Sequence, residues 1–348
     1  MFKIDISEDW FLKKYGESVF AQLLKDHTTQ QNIYWATDSY AETLGDGYKF
    51  YDPITIPKIT GEHDMTIRPR AVKSREEQAQ RAKDKAEVFT PSWICNAQNN
   101  LIDEAWFGRA DVFNHPDPDD PHGWIDNEEQ ISFPEGKTWQ DYVADMRMEI
   151  TCGEAPYLVS RADAVTADPI ENMKHRIGLL DRKLRVVNEN TETPADWLTW
   201  GKVALRSTYG FEWQGDNLLL AREAVFMSFI EHYMTRFERE PNGNAIPGVA
   251  YIISWNLWQM DGLTYGLPGY SPREKVDTQQ LTLDFFDAEE PAILPQEQYC
   301  LVKDFLKGID LKKPGLTNKN FSDNDKNRIQ TFRSVVEKKP TRNSTKNK

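Results

Sequence analysis

Arg147-Met148-Glu149-Ile150-Thr151-Cys152-Gly153-Glu154-Ala155-Pro156 decides the fold, because a short alternating run breaks off there at a glycine and a proline. The alternation over 147–150 predicts a strand, and the residues from Thr151 onward predict the turn that ends it. Two more strands are expected downstream. Residues 207–213 lead to Glu212 and Trp213, and residues 249–255 are the most strand-like run in the chain, continuing through 256–263 past Asp261. Helical patterns fill the intervals. Residues 169–200 look helical, and Leu218, Leu219, Ala221, Val225, Phe226, Phe229, Ile230 and Tyr233 recur at the spacing of one long helix over 218–237. Strands alternating with helices predict an α/β domain, placed at residues 87–300.

Outward from this domain, residues 6–26 have apolar side chains at helical spacing and predict one amphipathic helix. Residues 45–59 read as turns and short strands, and 71–86 as a helix that leads to Phe89-Thr90-Pro91. A further helix is expected over 92–102, started by Pro91. Residues 114–124 hold three prolines among acids and histidines and predict a loop. The layout is an N-terminal helical or mixed region at 1–86, the α/β domain at 87–300 and a basic, partly disordered extension at 301–348.

Charge follows the same division. The 348 residues carry 42 Lys and Arg against 55 Asp and Glu, a net of −13. From Val302 to the end there are 13 basic and 5 acidic residues, a net of +8, which leaves −21 for the first 301. The last residues are too polar to fold alone and read either as a solubilising terminus or as an arm for nucleic acid. Aromatic residues at 12% exclude a wholly disordered chain. No apolar run approaches the ~20 residues of a membrane-spanning helix, and the first ten residues lack the apolar core of a secretory signal. Three cysteines, Cys95, Cys152 and Cys300, are too few and odd in number for a disulfide scaffold and suit a reducing compartment, so a cytoplasmic protein is expected.

The three predicted strands end in residues suited to a nucleoside cofactor: a glycine turn at Cys152-Gly153, an acid at Glu212 and a second acid at Asp261. In doubly wound sheets the ligand lies beyond the carboxyl ends of the strands, where backbone approaches it closely and a carboxylate grips the ribose hydroxyls. Phe89-Thr90-Pro91, then Glu149 to Ala155, then Tyr209-Gly210-Phe211-Glu212, then Asn256 to Leu263 resemble, in order, the motifs of adenine-specific DNA methyltransferases and of the modification subunits of restriction systems. The resemblance covers about half of the chain. It implies a Rossmann-like methyltransferase fold that binds S-adenosylmethionine. Phe89, Thr90 and Pro91 would sit against the methionine part, and Gly153, flanked by Glu149 and Cys152, would form the tight turn. Glu212 would accept from both ribose hydroxyls, Trp213 would cover one face of the adenine, and Asp261 would accept from its amino group. Two positions depart from the pattern, Ile150 for the usual proline and Ala155 for the second glycine of the turn.

A third departure concerns chemistry. Enzymes of this family hold the target amino group with an Asn, Asp or Ser followed by Pro-Pro and an aromatic, and no Pro-Pro pair occurs anywhere in this chain. The expectation is therefore an S-adenosylmethionine-dependent DNA methyltransferase-like protein or modification subunit that works with a partner protein and with DNA, and with no membrane. The alternative is a non-catalytic cofactor-binding subunit or decoy of the same fold. A nuclease is the weaker rival: Pro116-Asp117 and Glu135-Gly136-Lys137 match its loose metal-site pattern, but its acids belong on adjacent strands. His115 and His122 lie in the same acidic stretch. No cysteine pair has zinc spacing, and no phosphate-binding glycine loop is present.

Overall fold

The computed structural model describes residues 6–73, 90–270 and 298–338. Helix α1 (Glu8–Tyr15) opens on Ser7, whose hydroxyl accepts from the Trp10 N–H at 3.2 Å, and carries acids in its first turn and lysines in its last. Gly16, at φ +85°, stops it, and α2 (Glu17–Leu24) sets off anew, so the single helix expected over 6–26 is two. After α3 (Ala41–Leu44), helix α4 (Ser92–Phe107) enters behind Pro91 and ends at Gly108. The stretch expected as a loop is instead the hairpin of β1 (Asn114–Pro116) and β2 (Trp124–Asp126), which pair antiparallel. Pro118, Pro121 and the acids between them lie in the turn, while Asn114 is buried and exchanges hydrogen bonds with Asn96 of α4 at 3.0 and 3.1 Å.

Helix α5 (Trp139–Ala144) begins with a reciprocal cap between Thr138 and Asp141 and leads to β3 (Arg147–Glu149). The expected helix over 169–200 is α6 (Leu179–Asn190) and α7 (Pro194–Arg206), separated where Thr193 caps a new start and Pro194 takes its first position. Then follow β4 (Thr208–Glu212) and the long α8 (Gly215–Phe237), as the periodicity predicts. Residues 249–255 are not a strand. They lie in α9 (Ile246–Asn256), and the strand after it, β5 (Leu257–Gln259), has three residues. A run that is apolar on nearly every side has no period to read, and here it is a buried helix entered through Pro247.

Strands β3, β4 and β5 form a parallel sheet in that order, with Glu149 opposite Gly210 and Glu212 opposite Gln259. The connections run through α6 and α7 and then through α8 and α9, as parallel pairing requires. The fold is α/β. One buried cluster draws on all three expected regions, with Phe11 and Phe20 from the first, Trp197 and Phe229 from the second, and Phe305 and Phe321 from the third. Within 301–348, β6 (Leu301–Lys303) pairs antiparallel with β7 (Ile329–Thr331), and α10 (Phe332–Val336) follows. Arg222, wholly buried in α8, donates to the carbonyls of Leu23, Lys25, Ser254 and Leu257 and so ties the ends of α2 and α9 to β5. Among the described residues no helix is long and apolar enough to cross a membrane.

Candidate functional site

The three parallel strands end side by side in Glu149, Glu212 and Gln259. The chain leaving β3 turns through Thr151, Gly153 and Ala155 at φ +48°, +53° and +65°. This is the left-handed region, which costs a side-chain-bearing residue about 1–2 kcal/mol. Ala155 thus takes the conformation that glycine adopts freely at the position where the resembled family has one. The turn is held down at both ends: the Cys152 N–H donates to the Phe211 carbonyl at 2.8 Å, and the Ala155 N–H to that of Cys152 at 2.7 Å. The Cys152 side chain packs over Gly210, where a Cβ would meet its sulfur at 3.2 Å and Leu257 at 2.8 Å. Burial holds its thiol well above the usual range, which makes it a packing group.

Glu212 joins the turn to the sheet. One carboxylate oxygen accepts from the Gly153 N–H at 2.8 Å and the other from the Gln214 N–H at 3.2 Å. Glu149 is less well served: Oε1 accepts from the Tyr157 N–H at 3.4 Å, and the buried Oε2 has no hydrogen-bond partner. Burial raises the pKa of both acids, Glu149 well above the usual carboxylate range. Among the described residues neither forms an ion pair with Lys or Arg. Thr90 is beside them. Its carbonyl lies 3.6 Å from the sulfur of Cys95, whose thiol burial and then the charge of Glu149 push up to about 12. Pro91 starts α4 in extended conformation, and Phe89 lies outside the described residues.

Trp213 follows Glu212 and sends its indole N–H to the Ala36 carbonyl at 3.3 Å. Asp261 stands two residues beyond β5 and uses both carboxylate oxygens within its own turn, accepting from the Leu263 N–H at 2.8 Å and the Thr264 hydroxyl at 2.9 Å. The structure therefore gathers Thr90, Glu149, Cys152, Gly153, Ala155 and Glu212 at one sheet end, with Trp213 next to them and Asp261 directed elsewhere.

Residues 34–36, unread in the sequence, cross the ends of β4 and β5. Gln259 holds them by accepting from the Tyr34 N–H at 3.1 Å and donating to the Tyr34 carbonyl at 2.8 Å, and it also donates to the Trp213 carbonyl at 2.9 Å. Gly215 lets them pass, since a Cβ there would lie 2.1 Å from the Tyr34 carbonyl oxygen. The available signal was Gln259 itself, a fully buried amide within Leu257-Trp258-Gln259-Met260.

The nuclease-like residues are placed differently. Asp117 caps its own turn by accepting from the Asp119 N–H at 2.9 Å, and Glu135 precedes α5 rather than lying on a strand. Lys137 donates to the Trp106 carbonyl at 2.5 Å. His122 stacks on Trp93 at 4.7 Å, and His115 contacts the Pro116 carbonyl at 3.2 Å. Among the described residues no three His, Cys, Asp or Glu side chains gather in a metal-binding group. The chain matches no family model, no curated protein and no solved structure.

Proposed function

We propose that the chain binds S-adenosylmethionine at the carboxyl end of its parallel sheet, through a Rossmann-like methyltransferase half, and serves in methylating the amino group of adenine in DNA. The observation that carries this reading is a pair of buried acids, Glu149 and Glu212, beside a left-handed turn and without a cation. A buried carboxylate is costly unless a positive charge or several donors meet it. S-adenosylmethionine brings an ammonium, a sulfonium and two vicinal ribose hydroxyls. Glu149 Oε2 takes the cationic end. Each Glu212 oxygen keeps a lone pair for a ribose hydroxyl besides the backbone donor it already has. The turn from Cys152 to Ala155 brings backbone against the ligand, and Thr90 and Pro91 border the methionine end. Trp213 covers the adenine, and Asp261 takes its amino group by turning out of its own loop.

The reading also assigns a limit. Without a Pro-Pro-aromatic segment the chain has no recognised holder for a flipped adenine, and methyl transfer depends on holding nitrogen in line with the sulfonium. This favours a component that binds cofactor and needs a partner for transfer. Calorimetric titration with S-adenosylmethionine and its demethylated product is expected to show one site, weakened ~10- to 100-fold by Glu212→Ala. Labelled methyl transfer to mixed-sequence DNA by the chain alone is expected near background. A folded sample that gives no binding with either ligand defeats the proposal.

A further inference from the structure

Lys202 is a buried cation among positive charges. Helix α7 places Thr199, Lys202 and Arg206 on one face, at the spacing that stacks side chains along a helix. Residues 318–323 meet that face on either side of Lys202: the Asn318 amide donates to the Thr199 hydroxyl at 3.5 Å, and Arg206 donates to the Asp323 carboxylate at 3.0 and 2.9 Å. Lys202 itself turns to α9 and is 9% exposed. Its Nζ lies 2.9 Å from the place that a Cβ on Gly248 would take, and its Cε 3.8 Å. Gly248 is the third residue of α9, so the amine rests against the first turn of that helix, in space that a side chain would otherwise fill.

A buried ammonium calls for an acid or for several acceptors. Lys202 has neither, since among the described residues it makes no ion pair and no hydrogen bond. Asp323, the acid whose charge reaches it, gives both carboxylate oxygens to Arg206. What faces the amine instead is positive. The first turn of a helix carries the positive end of its dipole and N–H groups ahead of the ladder, which in α9 includes the Val249 N–H on the Ala245 carbonyl at 3.2 Å. Arg206 adds a charge one turn along α7, and its Nη1, in a side chain 1% exposed, has no acceptor. Burial and then the charge of Arg206 hold the Lys202 pKa down to about 8, so the amine still carries its proton at neutral pH. Lysine, helix terminus and arginine N–H all want the same missing partner, an anion. A phosphate group suits them, because it brings negative charge and several acceptor oxygens to donors that come from different elements. Gly248 is half-buried, and Asn244 and Pro247 near it are exposed, so the turn is open to solvent on its outer side.

We propose that Lys202 and the first turn of α9 hold a phosphate group, either the free ion or the terminal phosphate of a small ester, with Arg206 adding to the attraction. S-adenosylmethionine carries no phosphate, so this seat does not rest on the cofactor reading. The test measures calorimetric binding and the urea unfolding midpoint of the full chain with inorganic phosphate and with methyl phosphate, each at constant ionic strength against chloride. Inorganic phosphate is expected to bind at one saturable site and to raise the midpoint. Tighter binding of methyl phosphate assigns the seat to an ester, and equal or weaker binding assigns it to the free ion. Lys202→Met keeps the apolar stem without the charge. It is expected to weaken phosphate binding ~10-fold or more, with a midpoint in chloride equal to or above that of the natural chain. Gly248→Ala is expected to fold, because the atom its Cβ displaces is the free end of a lysine, and to weaken binding by pushing Nζ off the turn. Should Lys202→Met not fold, Gly248→Ala decides. The absence of saturable binding by either phosphate overturns the proposal, as does binding that both variants leave unchanged.

Discussion

At the amino end of the parallel sheet the buried carboxylate Asp103 meets two guanidinium groups, whereas at the carboxyl end the buried acids Glu149 and Glu212 meet no Lys or Arg among the described residues. Asp103 receives Arg182 at 2.6 Å and the Tyr142 hydroxyl at 2.9 Å, with Arg147 at 3.7 Å. Lys183, which burial pushes well below the ordinary lysine range, donates to the carbonyls of Asp145 and Ser207 and to the Ser207 hydroxyl. Sixty-two residues of chain separate Glu149 from Glu212, yet the two lie together with one carboxylate oxygen of Glu149 unserved. The backbone differs in the same sense, since the turn after β3 holds threonine, glycine and alanine in left-handed conformation. A matched network holds a fold in place. An unmatched one at the carboxyl end of a parallel sheet is what the proposed cofactor would use.

The largest expected effect separates these roles. Asp103→Ala leaves Arg182 buried without its anion and is expected to cost about 3–5 kcal/mol in urea unfolding, with cofactor affinity unchanged while the protein is folded. Glu212→Ala is expected to do the reverse, losing about 1–2 kcal/mol of stability but ~10- to 100-fold in affinity. If both variants lose stability alike and neither loses affinity, the two ends do not differ and the comparison fails.

A subtler difference lies in pH. In the folded chain Glu149 keeps its proton at pH values where the unfolded chain, with a carboxyl near 4.5, has released it. Its contribution to stability is therefore full below about 4.5 and is lost as pH rises through the folded pKa. Glu8 works in the same direction, pushed up to about 8 by burial. His27 works on the other side of the range: burial lowers it to about 3, so stability falls as pH drops below about 6.5. Unfolding midpoints of Glu149→Gln across pH 4 to 9 are expected to decline less toward alkaline pH than those of the natural chain, keeping the part due to Glu8. An identical decline would show that burial does not hold the proton on Glu149. The smallest effect concerns the turn. Thr151→Gly is expected to raise stability by about 0.5–1 kcal/mol in urea unfolding, because it relieves the left-handed strain more than it adds chain entropy.

Strands β3 and β4 were legible in the sequence because alternation and a following turn mark them, and α8 because its apolar period runs for about four turns. Residues 249–255 were misread for the opposite reason, as a helix buried on all sides looks like a buried strand. Gly16 hid the break between α1 and α2, because a glycine's left-handed turn is chosen by the packing around it. At the site, the order of Thr90, Gly153 and Glu212 could be read, and the structure brings them together. The crossing of residues 34–36 could not, since a contact over more than 200 residues leaves no local pattern. The buried polar face of α4 was equally hidden: Asn96, Asn99 and Asp103 are polar, and their distant partners Asn114, Tyr157, Ile177, Arg182 and Tyr142 make them interior residues.

The account rests on Glu149 receiving a cationic ligand, and proton release on binding tests this most directly. Calorimetric titration of the full chain with S-adenosylmethionine, repeated in two buffers of different ionisation enthalpy, counts the protons exchanged. At a pH above about 4.5 and below its raised folded value, a buried acid that keeps its proton in the empty site and meets a cation in the filled one must let that proton go. Binding with net proton release from the natural chain, lost in Glu149→Gln along with part of the affinity, is the expected result. Binding with the same proton count in both proteins, or no binding by a folded sample, would contradict it.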